Sequence, residues 1–298
     1  MTMGSTSLPL PELLPGLLRR LARDPVPAVR AAVLQGLPYL LHRQPALGWQ
    51  LLGDAFREPQ TDLWRHAERT LYYQIRDQFA QVRPCLDRIR TEAIDNAGET
   101  WGRLSALACL EGHLPLASLL ESLPSLPGSA WKGVAAVFAA NLDKRDMIAV
   151  CQEGLLGLLA AAGLPDEIMP EIEGCFEGGS QGAVSQALAL AFVRALPSRD
   201  RGQNLSHFLE WLARHARHDP DSALVIAEKL AERLAAVAQP LMLWPPKPLM
   251  AALVEILREA DQMDDADRIR RAIALQDRFL ALDVHGMEEL LDQAARHS

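Results

Sequence analysis

Lysine is scarce in this chain of 298 residues: it occurs four times, at Lys132, Lys144, Lys229 and Lys247. None follows phosphate-cradling glycines, so a P-loop of the GxxxxGK[ST] type is missing. The GxSxG elbow of a serine hydrolase and the HExxH pair of a zinc protease are missing too. Aromatic residues make up 5%, and β-branched runs are nearly absent, which argues against a sheet-built core. The Leu and Ala that take their place predict helices throughout. The four cysteines, Cys85, Cys109, Cys151 and Cys175, are too widely spaced for a disulfide framework or a zinc motif and are expected as buried thiols. No uncharged apolar stretch reaches membrane-spanning length; residues 154–165 come nearest and stop at Pro165. The opening MTMGSTS has no basic segment, and Pro9, Pro11 and Pro15 interrupt the leucines after it, so no signal peptide is expected. These absences predict a cytoplasmic protein without a membrane segment, and no cofactor or metal.

What is present is a composition that folds, with 49% hydrophobic and 23% charged residues and a net charge of -8. The charge is uneven. Residues 1–150 carry 16 basic against 15 acidic side chains, and residues 151–298 carry 14 against 23. From Cys151 to Val193 there is no Lys or Arg at all, while Glu153, Asp166, Glu167, Glu171, Glu173 and Glu177 are present. Such a stretch repels phosphate, so nucleic acid is disfavoured as a partner there.

The pattern repeats. Residues 11–41, PELLPGLLRRLARDPVPAVRAAVLQGLPYLL, hold a leucine-rich helix, an Asp24-Pro25 turn with Pro27 at a helix start, and a second helix opened by Val29-Arg30. Asp24 is placed to accept from free amides at that start, and Val29, Val33 and Leu37 share one face. This resembles a HEAT repeat. The second-helix pattern returns with Trp64, Trp101, Trp131 and Ile168 at the Val29 position, in steps of 35, 37, 30 and 37 residues. First helices are expected at 46–57, 82–94, 114–123 and 145–160 between them. Further helices are expected at 181–196, 205–217, 221–238, 247–261, 264–282 and 286–297, with a joint at 198–204. The reading is therefore all-α: a right-handed α-solenoid of HEAT/armadillo-like two-helix repeats, with residues 1–7 disordered, a repeat array over 8–197, and helical repeats over 198–298 continuing it.

Two stretches are similar to something narrower. WKGVAAVFAANLDKRDMIAVCQEGLLGLLAAAGLPDEIMPEIEGCF, residues 131–176, and LVEILREADQMDDADRIRRAIALQDRFLALDVHGMEELLDQ, residues 253–293, resemble the C-terminal helical region of large bacterial STAND-type (NACHT-like) NTPases of anti-phage defence. The resemblance implies a sensing or scaffolding module and association with an NTPase chain or domain. The NTPase itself is not in this chain, so nucleotide hydrolysis does not carry over.

Candidate sites are few. His207, His215 and His218, with Trp211, lie at spacings of 4, 4 and 3 on one helix face; they are read as structural, since Trp211 sits in the middle and no second helix offers a fourth ligand. Asp264 and Asp265 read as a helix start, and Arg30 as a bridge to an acidic turn residue of the next unit. On the helix from Thr61 to Phe79, Trp64, Ala67, Leu71 and Ile75 fall on one side at 100° per residue, and Arg65, Arg69, Tyr72 and Arg76 on the other. Second helices line the concave surface in HEAT-like arrays, so these four form a candidate strip for a protein partner, guanidinium suiting carboxylate or phosphate and tyrosine supplying rigid contact area. The plainer reading is a solvated helix face, with Arg65 and Arg69 paired to Asp62 and Glu68 or to a neighbouring repeat. The function expected is a non-catalytic scaffold or sensor for protein–protein interaction. The rivals are a HEAT-like nucleic-acid binder or DNA glycosylase, suggested by 12 basic against 7 acidic residues over 19–90, and a piece that completes another chain, suggested by Leu8, Leu10, Leu13 and Leu14 at an end without a polar cap.

Overall fold

The computed structural model describes residues 11–58, 61–177, 183–196, 205–236 and 246–282. Among them there is no strand, and fourteen α-helices follow one another. The chain divides into two compact units, residues 1–134 and 135–298, with the boundary inside the seventh helix. The expected disordered start, the joint at 198–204 and the helix at 286–297 lie outside the described residues.

The first unit holds α1 (Leu14–Ala22), α2 (Pro27–Arg43), α3 (Pro45–Ala55), α4 (Trp64–Glu92), α5 (Ile94–Leu110), α6 (Leu116–Ser122) and the start of α7 (Gly128–Ala140). Proline opens α1, α2 and α3, where the missing N–H costs nothing and φ is preset. Asp24 accepts from the Val26 amide at 2.8 Å, closing the turn that precedes α2. α4 is helical except at Gln78 (φ -132°, ψ 32°), which divides it just before the gap at 80–81 that the sequence predicts between two helices. α1 packs on α2 and α3, α2 on α3 and α4, and α4 on α5. α5 and α7 meet at glycines. A Cβ on Gly102 would run into the Ala130 carbonyl oxygen and come within 3.0 Å of the Val134 amide, and one on Gly133 would run into the Glu99 carbonyl. The two backbones are in contact because no side chain stands between them.

The second unit holds α8 (Ile148–Ala160), α9 (Met169–Glu173), α10 (Gln186–Ala195), α11 (Ser206–Ala216), α12 (Pro220–Ala235), α13 (Pro246–Gln262) and α14 (Ala266–Ala281). α8 packs on α10, α10 on α12, α11 on α13 and α12 on α14. Three of these helices carry a side-chain N-cap: Ser185 accepts from the Leu188 amide, Asp219 from Ser222 and Asp265 from Arg268. Asp264–Asp265 is thus the helix start its sequence predicts. The core is a chain of aromatic contacts, with Phe176 within 5.3 Å of Phe192, Phe208 and Trp211.

Within each unit, many hydrogen bonds between helices join residues one pattern-step apart. Arg23 reaches Asp54, Thr70 the Leu34 carbonyl and Thr100 Glu68, at separations of 31, 36 and 32 residues. In the second unit the Phe208 amide reaches Glu173 and Arg233 the Leu196 carbonyl, at 35 and 37. A recurring device is an arginine that satisfies a carbonyl left over at the end of an earlier helical segment: Arg88 at Phe56, Arg214 at Phe176 and Arg233 at Leu196. Arg30 belongs to this group. Buried to 3% exposure, it donates to the Ala55 carbonyl at 3.1 Å, and not to an acidic turn residue as expected. Of the five pattern positions, Trp64, Trp101, Trp131 and Ile168 are buried and Val29 is half-buried.

A candidate partner-binding surface on two neighbouring helices

The first segment of α4 is amphipathic as its spacing requires. Trp64, Ala67, Leu71 and Ile75 are buried, and Trp64 lies flat on Phe56 at 3.8 Å with the Arg88 guanidinium 5.6 Å from its ring centre. That packing fixes the rotation of the helix, so Arg65, Arg69, Tyr72 and Arg76 stand on the opposite side, away from the core. The four predicted residues are therefore brought together. Their expected local partners are not engaged with them. Glu68 turns toward α5 and accepts from Thr100 at 2.7 Å and Arg103 at 3.2 Å, a half-buried site that neither Arg65 nor Arg69 displaces. Asp62 is exposed at the helix start, and Arg65 turns to the His66 ring at 3.4 Å.

α2 extends the strip with residues that sequence reasoning passed over. Thr70 bonds the Leu34 carbonyl at 3.0 Å, and Gln35 meets His66 at 3.4 Å. Tyr39 and Arg43 follow Gln35 at steps of four along α2. The chain contains three tyrosines, and all three are here, 62%, 49% and 53% exposed for Tyr39, Tyr72 and Tyr73. Arg43 lies 5.2 Å from the centre of the Tyr39 ring and Arg69 5.8 Å from that of Tyr73, while Tyr72 meets Tyr73 edge-on at 5.2 Å. The available signal was the Tyr39–Arg43 spacing of four on a helix one step before α4. Beside this strip, an apolar groove of about 210 Å³ runs between α1, α2 and α3, lined by Leu14, Leu18, Val33, Leu37 and Leu51 and bordered by Gly36 and Tyr39. Leu13, next to it, is 88% exposed.

The other candidates resolve into packing. His215 stacks on the buried Trp211 at 4.7 Å and meets the Ser222 hydroxyl at 3.1 Å, and burial lowers its pKa from the ordinary value. His207 is half-buried and His218 exposed, and no cluster of metal-binding side chains occurs among the described residues. Cys109, Cys151 and Cys175 are buried and Cys85 is half-buried; burial pushes the thiols of Cys85, Cys109 and Cys151 up to about 11. Glu173, whose role the sequence does not reveal, is a buried acid that caps another helix. Leu205 at the start of α11 offers no capping side chain, and Glu173 accepts from the Phe208 amide at 3.0 Å instead. Burial raises its pKa, against the lowering effect of that hydrogen bond.

Chemically, the α2–α4 surface offers guanidinium groups without carboxylate partners among the described residues, flat aromatic faces held beside them, and apolar ground at one edge. It holds no nucleophile paired with a base. Comparison of the chain with protein-family models, with curated proteins and with solved structures gives no match.

Proposed function

We propose that the chain is a non-catalytic helical-repeat module that binds a protein partner through the α2–α4 surface, and that the partner presents an acidic segment to Arg65, Arg69 and Arg76 with apolar side chains beside Tyr39, Tyr72 and Tyr73. The observation that carries this is that all three tyrosines of the chain are exposed on two helices packed on each other, Tyr39 beside Arg43 and Tyr73 beside Arg69, and that these arginines bind no carboxylate of the described residues. Tyr and Arg are among the residue types that dominate binding energy at protein interfaces. The architecture proposed with it is a right-handed α-solenoid of HEAT/armadillo-like repeats. It is supported by hydrogen bonds that join helices 31 to 38 residues apart, the same interval as the sequence pattern. The resemblance of residues 131–176 and 253–293 to the C-terminal region of STAND-type defence NTPases supports a sensor or scaffold role in a bacterial cytoplasm, next to an NTPase carried on another chain or domain.

A nucleic-acid reading competes for the same arginines. The groove lined by Leu14, Leu18 and Leu37 favours protein, because an apolar trough beside the strip has nothing to offer a phosphate backbone. The test is the triple variant Arg65→Glu, Arg69→Glu, Arg76→Glu in pull-downs with candidate partners and in mobility shifts with duplex DNA at low salt. Loss of the captured protein in the variant, with no DNA shift by the parent chain, supports the proposal. Unchanged capture removes the surface assignment, and a salt-dependent DNA shift abolished by the triple change replaces a protein partner with nucleic acid.

A further inference from the structure

A second concavity lies elsewhere in the first unit, where the second segment of α4 meets α5 and α6. It encloses about 230 Å³, more than the roughly 150 Å³ that suffices for a benzene ring in an apolar cavity. Its floor is apolar: Leu86, Trp101 and Leu119 are buried there. Phe79, which stacks on His113 at 4.7 Å, also lines it. Two features do not belong to simple packing. Ser105, 1% exposed and part of the lining, has a hydroxyl without any hydrogen-bond partner among the described residues, a state that is unfavourable for a buried polar group. The rim carries Arg83, Asp87 and Arg90 on one face of α4. None of the three is in an ion pair among the described residues, and the Arg90 guanidinium stands 6.0 Å from the centre of the Trp101 ring.

We infer that this cavity is a binding site for a small aromatic monocarboxylate. The ring fits over Leu86 and Leu119 against Trp101, and the carboxylate meets Arg83 and Arg90. Two cations against Asp87 leave one net positive charge, which matches a monoanion and not a phosphate diester chain or a cation. The unsatisfied Ser105 hydroxyl selects ligands with a polar group on the ring. This site is separate from the α2–α4 surface and stands or falls independently of it.

The test uses the full chain and four probes: 4-hydroxybenzoate, benzoate, methyl 4-hydroxybenzoate and acetate, each titrated calorimetrically and by saturation-transfer NMR. Expected is the order 4-hydroxybenzoate, then benzoate, with the uncharged ester and acetate far weaker. The paired changes Arg83→Gln and Arg90→Gln should weaken both aromatic acids about tenfold or more, since charge-assisted hydrogen bonds are lost. Ser105→Ala should weaken 4-hydroxybenzoate about fivefold and leave benzoate nearly unchanged. Absence of any signal from the aromatic acids at millimolar concentration overturns the inference. So does binding that survives both the arginine and the serine changes, or an ester that binds as well as the acid.

Discussion

Pro38 lies inside α2 and has no N–H to give to the Leu34 carbonyl four residues earlier. Leu34 is fully buried, so that carbonyl cannot turn to water. The Thr70 hydroxyl, also fully buried and carried by α4, donates to it at 3.0 Å. A side chain on one helix thus replaces the hydrogen bond that a proline removes from another. Thr70→Val keeps the shape and removes the donor, and an unsatisfied buried acceptor costs about 1–3 kcal/mol. Pro38→Ala restores the missing N–H within α2. In that background Thr70→Val removes a second donor from a carbonyl that already has one, and the expected cost falls below about 1 kcal/mol. The assay is a double-mutant cycle by urea unfolding followed by far-UV circular dichroism, with a predicted coupling of about 1 kcal/mol or more between sites in direct contact. If Thr70→Val costs the same in the parent chain and in the Pro38→Ala background, the proline is not what the threonine answers, and the compensation between the two helices is refuted.

Other consequences are equally direct. Gly102→Ala forces a Cβ into the backbone of α7, and the predicted net loss is about 1–3 kcal/mol by thermal or urea unfolding even after the helix-propensity gain of alanine. Gly53→Ala on α3, where nothing lies within 4 Å, is the control and should gain about 0.5–1 kcal/mol. Glu173 has its pKa raised by burial, so the native state holds a proton more tightly than the unfolded chain. Its contribution to stability is therefore greatest at low pH and is lost as pH rises from the ordinary glutamate value through the raised one. Glu173→Gln removes that titration, and the stability of the variant relative to the parent should grow as pH is raised from about 4 to 7; a flat or falling difference contradicts the assigned cause. The Arg65→Glu, Arg69→Glu, Arg76→Glu variant breaks no ion pair among the described residues and should melt within about 0.5 kcal/mol of the parent per site, which separates its effect on partner binding from an effect on folding.

Helix class, helix positions and the start at Asp265 are local properties, written in spacing and capping residues, and they could be read from the chain directly. So could the rotation of α4, because Trp64, Ala67, Leu71 and Ile75 leave Arg65, Arg69, Tyr72 and Arg76 no other side. What spacing cannot carry is which distant group answers which. Arg30 is expected to answer an acid, but the buried guanidinium donates to the Ala55 carbonyl at the end of α3. Glu68 is drawn to α5 by Thr100 and Arg103, and that takes from Arg69 the carboxylate next to it in sequence. The addition of Tyr39 and Arg43 to the surface depends on the packing of α2 on α4, which the bond from Thr70 to Leu34 helps to hold. The same bond that compensates Pro38 therefore ties α2 to α4, and a chain that lost it would loosen the candidate surface together with the core beneath it.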